Sequence, residues 1–118
     1  MLDKQSLIQI VQKLYEQAKI IHDDLNTADG QIGDGDLGIT ILHGLEEINN
    51  TISTFSEDMG ANFMVCSKAF VKRSGSSFGT LIAFSLMNIS KEMKSKTAPI
   101  RCLRMAFRDI FPRVSKIM

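Results

Sequence analysis

The chain has 118 residues, a mass of 13.1 kDa and a formal net charge of +1 at pH 7, with 44% hydrophobic residues. That is enough for one domain, residues 1–118, with its own core, and it is small for an enzyme that must enclose its substrate unaided, so a partner chain is expected. Charges are scattered apart from Lys91, Lys94 and Lys96, so no basic face marks the chain as nucleic-acid binding and no acidic tail offers itself to a basic partner.

Cys66 and Cys102 lack a second Cys or His at zinc spacing, and neither a signal peptide nor an apolar run of membrane-spanning length occurs. The expectation is a reduced, cytoplasmic protein with no membrane partner.

From Asp3 to His22, Leu7, Val11, Leu14, Ala18 and Ile21 recur at steps of three and four, which predicts an amphipathic helix. A second helix follows an acidic loop, with Ile41, Leu45, Ile48, Ile52 and Phe55 on one face and Asp36 as N-cap or first-turn carboxylate. The third, Ala61 to Val71, ends in Lys72 and Arg73 ahead of Ser74-Gly75, cations in a last turn before a glycine stop. The fourth, Phe78 to Met93, is apolar on nearly every side and is expected to be the buried one. A fifth begins near Pro99, carries Leu103, Phe107 and Ile110, and is interrupted by Pro112. No period of two supports a strand, so the fold class is all-α, an antiparallel bundle of about five helices.

The loop between the first two helices reads Asp29-Gly30-Gln31-Ile32-Gly33-Asp34-Gly35-Asp36-Leu37-Gly38. Clustered carboxylates repel and glycines cost conformational entropy, so such a stretch needs a turn or a cation to offset it. An EF-hand started at Asp24 fails: Ala28 stands at the fifth position, Asp29 at the glycine position and Gly35 where a glutamate closes the site. Asp29, Asp34 and Asp36 remain as hard oxygen donors suited to magnesium, which commonly shares its coordination with phosphates. A solvated turn with an N-cap Asp is the alternative, and composition leaves both open.

Ser74-Gly75-Ser76-Ser77-Phe78-Gly79-Thr80 opens the fourth helix with small and hydroxyl residues, leaving backbone N–H groups at a positive helix end where phosphate oxygens can sit. It lacks the lysine of a Walker A loop, and an ordinary helix cap is the plainer reading of this stretch alone. No Ser-His-Asp or Cys-His arrangement is apparent, so no catalytic side chain is assigned.

Leu25-Asn26, Asp29, Ile32-Gly33-Asp34-Gly35-Asp36 and Gly38, followed by Ser74-Gly75 and Phe78-Gly79-Thr80, resemble the nucleotide-binding L subunit family of bacterial dihydroxyacetone kinases. The resemblance implies an eight-helix antiparallel barrel around ADP or ATP. It casts Asp29, Asp34 and Asp36 as ligands of two magnesium ions, and Ser74, Gly75, Gly79 and Thr80 as the phosphate-contacting turn, with Thr40 as a further nucleotide contact. It also implies a relay, in which bound ADP takes phosphate from a phosphohistidine M subunit of the phosphotransferase system and passes it to dihydroxyacetone on a K subunit. The alternatives are a non-catalytic nucleotide-binding co-regulator of a transcription factor, which the resemblance also implies, and an inactive truncated remnant.

Two departures stand out. Leu37 occupies the place after the last aspartate where the family commonly has His or another polar residue, and Met118 precedes the family's Gly-Asp-Lys-Thr segment and late Asp-Pro-Gly turn. The expectation is a C-terminally shortened barrel whose apolar fourth helix invites self-association. His43 shares a helix face with Thr40 and Asp36, but a core-edge histidine explains it as well. The seven methionines read as core filling.

Overall fold

The computed structural model describes residues 2–73 and 76–95. Among these, four α-helices and one 3-10 turn (Ile52–Thr54) account for the regular structure: α1 Lys4–Gly30, α2 Leu37–Asn50, α3 Met59–Lys72 and α4 Ser77–Ser95. No strand occurs among the described residues, as the missing period of two predicts. The fifth helix expected from Pro99 lies outside them.

α1 runs eight residues past His22, where the apolar count suggested it would stop. Leu25 and Ala28 continue the three- and four-residue steps, and the weak helix formers between them have tertiary work to do, described below, which overrides their propensity. At its start Asp3 caps the helix, accepting from the Ser6 N–H at 2.8 Å. α2 is shorter than its apolar pattern. The hydroxyls of Thr51 and Thr54 donate to the carbonyls of Ile48 and Thr51, each at 2.6 Å, closing the helix end into the 3-10 turn and delivering Phe55 to the core.

The core joins Leu7 and Val11 of α1, Ile48 of α2, Phe55, then Phe63, Cys66, Ala69 and Phe70 of α3, and Ala83 and Ile89 of α4. The most enclosed helix is α3, in contrast to the expectation for α4, whose Phe78 and Phe84 are 43% and 37% exposed. α3 sits between α2 and α4, so it is covered from two sides. Gly44 of α2 lies against the Phe70 ring. Leu14 and Ile21 of the α1 stripe also stay half exposed.

Hydroxyls fix the α3–α4 pair. Ser67 donates to the Ala83 carbonyl at 2.7 Å and Ser90 donates to that of Gly60, so early α3 meets late α4 and the two run antiparallel. Both serines are buried, where an unmade hydrogen bond would be costly. The C-terminal end of α3 is held to α2 by ion pairs: Arg73 lies 3.0 Å from Glu46 and 3.5 Å from Glu47, and Lys72 lies 3.8 Å from Glu47. Being partly exposed, such pairs stabilise weakly.

Asn62, 1% exposed, clamps the entry to α3. Its Oδ1 accepts from the Ser56 N–H and its Nδ2 donates to the Ser56 carbonyl, both at 2.8 Å. Asn62→Ala is therefore expected to lower unfolding free energy by about 1–3 kcal/mol in urea titrations, because it removes two hydrogen bonds to Ser56 and empties the space of a fully buried amide. The exposed control Lys68→Ala should stay within about 0.5 kcal/mol of the parent.

Candidate functional site

The acidic stretch is a tight hinge between α1 and α2. Asp29 lies in the last turn of α1, Asp34 in the connecting loop and Asp36 at the N-cap of α2. Gly35 turns the backbone with φ of 78°, a conformation that a side chain would strain. The chain then folds back onto Asp29, whose Oδ2 accepts from the N–H groups of Gly35, Asp36 and Leu37 at 3.0, 3.0 and 3.3 Å.

The bonds from Asp36 and Leu37, with Asn26 Oδ1 accepting from the Ile39 N–H at 3.1 Å, satisfy donors that a helix start leaves without intrahelical partners. Asp36 makes no side-chain capping bond of its own. The cap of α2 is thus supplied by α1, which leaves the Asp36 carboxylate available. At Gly38 the two helices approach so closely that a Cβ would collide with the His22 carbonyl.

The outcome is convergence. One oxygen or other ligand atom from each of Asp29, Asp34 and Asp36 lies within 4.8 Å of the others, with Asp34 exposed and Asp29 and Asp36 half-buried. Opposite oxygens across a magnesium ion stand about 4.2 Å apart, twice the metal–oxygen bond, so this all-oxygen donor set fits one hard divalent cation with a small adjustment. Asp29 Oδ1, outside the three backbone bonds, faces Gly33, where a Cβ would stand 2.8 Å from it. The missing side chain keeps that oxygen approachable.

Like charges so close disfavour full ionisation. The carboxyl of Asp36 is held above its ordinary range, first by a hydrogen bond with Asp34 that favours its protonated form, then by partial burial, then by the charges of Asp34 and Asp29.

The second half of the site adjoins the first. Ser76 is the N-terminal cap of α4: its Oγ accepts from the Gly79 N–H at 3.1 Å and its carbonyl accepts from the Thr80 N–H and hydroxyl, also at 3.1 Å. The Thr40 hydroxyl, on the first turn of α2, lies 3.1 Å from Ser76 Oγ, so the starts of α2 and α4 touch. Thr40 is buried, Gly79 is buried and Thr80 is exposed; Ser74 and Gly75 lie outside the described residues. His43 is half-buried one turn beyond Thr40.

The helix cap read from the Ser74–Thr80 stretch is made by Ser76, a residue the sequence did not single out, and the role of Asn26 was not foreseen. Starting the fourth helix at Phe78 hides the cap, although a serine three residues before an uncapped N–H is its usual signal. For Asn26 the signal was weak, because its partner lies across a chain reversal.

Residues 31–116 match the family model described as the DAK2 domain. The chain belongs to the DAK2 domain family. No curated protein and no solved structure matches it. The DAK2 domain is that of the L subunits of multi-subunit dihydroxyacetone kinases, a nucleotide-binding, kinase-family component. Asp29 lies just ahead of the matched residues, yet its carboxylate organises the first turn within them. No helix among the described residues of this DAK2 chain is long and apolar enough to cross a membrane.

The sign of the Asp36 shift gives a stability prediction. Folding favours the protonated group, so its contribution to ligand-free stability is full below the ordinary carboxylate pKa and is lost as pH rises through the raised folded value. Asp36→Asn should therefore raise the melting temperature of the ligand-free DAK2 chain at neutral pH, and the advantage should vanish on acidification below the ordinary carboxylate range. Thermal unfolding followed by circular dichroism across that pH range measures both.

Proposed function

We propose that the chain is the magnesium- and nucleotide-binding L-type subunit of a dihydroxyacetone kinase. In this reading, ADP held in the site accepts phosphate from a phosphohistidine M subunit of the phosphotransferase system and donates it to dihydroxyacetone on a K subunit, in the cytoplasm. The observation that carries the reading is the convergence of Asp29, Asp34 and Asp36 beside the start of α4, within a DAK2 domain. Three carboxylates alone bind magnesium loosely because it surrenders water reluctantly, whereas phosphate oxygens complete its shell.

Magnesium, when bound, would neutralise charge on the phosphate oxygens. Asp29, Asp34 and Asp36 would hold it, and the α4 N-terminus with Thr80 would face the nucleotide phosphates, joined by Ser74 and Gly75 on the strength of the resemblance. Two ions, as the resemblance implies, would need further oxygens from phosphate and water. Phosphoryl transfer depends on positioning and charge neutralisation more than on a protein nucleophile, so this reading asks for none.

A second reading, nucleotide binding without turnover, is favoured by Leu37. Its N–H is engaged with Asp29, and its aliphatic side chain cannot donate to a transferring phosphoryl group.

Calorimetry tests the first reading: ADP should bind far more tightly with magnesium present, and magnesium alone should bind weakly. Tight magnesium binding without ADP, or no ADP binding at all, overturns it. Single-turnover transfer between bound nucleotide and the K subunit then separates the two readings. Leu37→His should accelerate transfer with little change in ADP affinity, because one well-aimed donor is typically worth ~10²-fold or more in rate. Equal rates would make Leu37 a neutral packing residue.

A further inference from the structure

The Thr40 and Ser76 hydroxyls meet at 3.1 Å, with Thr40 only 5% exposed and Ser76 half-buried, so the bond is sheltered from competing water. Each residue is tied to a different half of the site. The Thr40 N–H donates to the Asp36 carbonyl at 2.9 Å, which places Thr40 one helical turn from that carboxylate residue. Ser76 in turn holds Gly79 and Thr80 at the start of α4. A turn of helix is stiff, and a capping serine sets the position of the N–H groups it organises. This chain of contacts links the position of Asp36 to that of the α4 start.

We infer that the Thr40–Ser76 pair couples the two halves, so that a divalent cation at the aspartates and a nucleoside diphosphate at α4 favour each other's binding through the protein as well as through direct contact. Thr40 is on this account a positioning residue, buried and engaged with Ser76, rather than a nucleotide contact. The inference rests on the nucleotide-binding reading above. Coupling between ligands is reciprocal, so it is measurable from either side.

The experiment compares the magnesium-induced gain in ADP affinity, by calorimetry on the full chain, among the parent, Thr40→Val and Thr40→Ser. Direct cation–phosphate contact is common to all three, so differences report the hydroxyl pair. Thr40→Val keeps the shape and removes the hydroxyl; the gain should fall about fivefold, the scale of one hydrogen bond. Thr40→Ser should retain it within about twofold. An undiminished gain in Thr40→Val overturns the inference while leaving the nucleotide reading intact, and an equal loss in both variants overturns it, because Thr40→Ser keeps the hydroxyl and the effect would then be one of packing at position 40. Absence of any gain in the parent overturns the nucleotide reading and this inference together. Should Thr40→Val fail to fold, Ser76→Ala against Ser76→Thr makes the same comparison, with loss in the first alone supporting the coupling and equal behaviour of the two overturning it.

Discussion

A single carboxylate oxygen, Asp29 Oδ2, receives three consecutive backbone N–H groups and so determines how the chain reverses between α1 and α2. Hydrogen bonds to an ionised acceptor are stronger than neutral ones, and here they converge from residues that a helix start leaves unsatisfied. Without them these N–H groups would have to find other acceptors. Because Asp29 takes the capping role, Asp36 is spared it. The same side chain divides its labour: Oδ2 holds the fold, while Oδ1 faces the space kept open at Gly33.

That reversal propagates through α2. The close approach at Gly38 and the Asn26–Ile39 bond set the start of α2 against α1, Gly44 admits the Phe70 ring of α3, and Thr40 reaches Ser76 at the head of α4. The buried positions of α2 include Gly38 on the side toward α1 and Gly44 on the side toward α3, small residues that let neighbouring helices come near. Large side chains there would push α1 and α3 apart and separate the two halves of the site. The short α1–α2 connection and the hydroxyl bonds between α3 and α4 leave little freedom in how those starts are presented.

Helix periodicity made most of this legible. The steps through Leu7, Val11 and Ala18 and the cations closing α3 point where the structure goes, and the glycine spacing of the acidic turn allowed Asp29, Asp34 and Asp36 to converge without requiring it. Partnerships made across the chain reversal were not legible. Asn26 and Asp29 look like helix breakers until α2 supplies their donors, which is why the first helix reads too short. Burial along α4 was misjudged for a related reason: an all-round apolar composition says a helix can be buried, whereas its neighbours decide which sides are, and α3 takes the central place instead. The family resemblance added a function that no periodicity contains, and the DAK2 match supports its coarse form.

The acidic cluster opposes the stability of the chain that carries it. Asp34 and Asp36 crowd each other and Asp29, and the carboxyl of Asp36 is held above its ordinary range first by its hydrogen bond with Asp34, then by partial burial and the neighbouring charges. A fold selected for stability alone would place a neutral side chain at one of these positions and lose nothing from its caps, since Asp36 makes no capping bond. Retaining all three carboxylates makes physical sense when something positive relieves them. A cation that also requires phosphate would do so chiefly when nucleotide is present, and the repulsion present in the free chain then becomes part of the driving force for the loaded state.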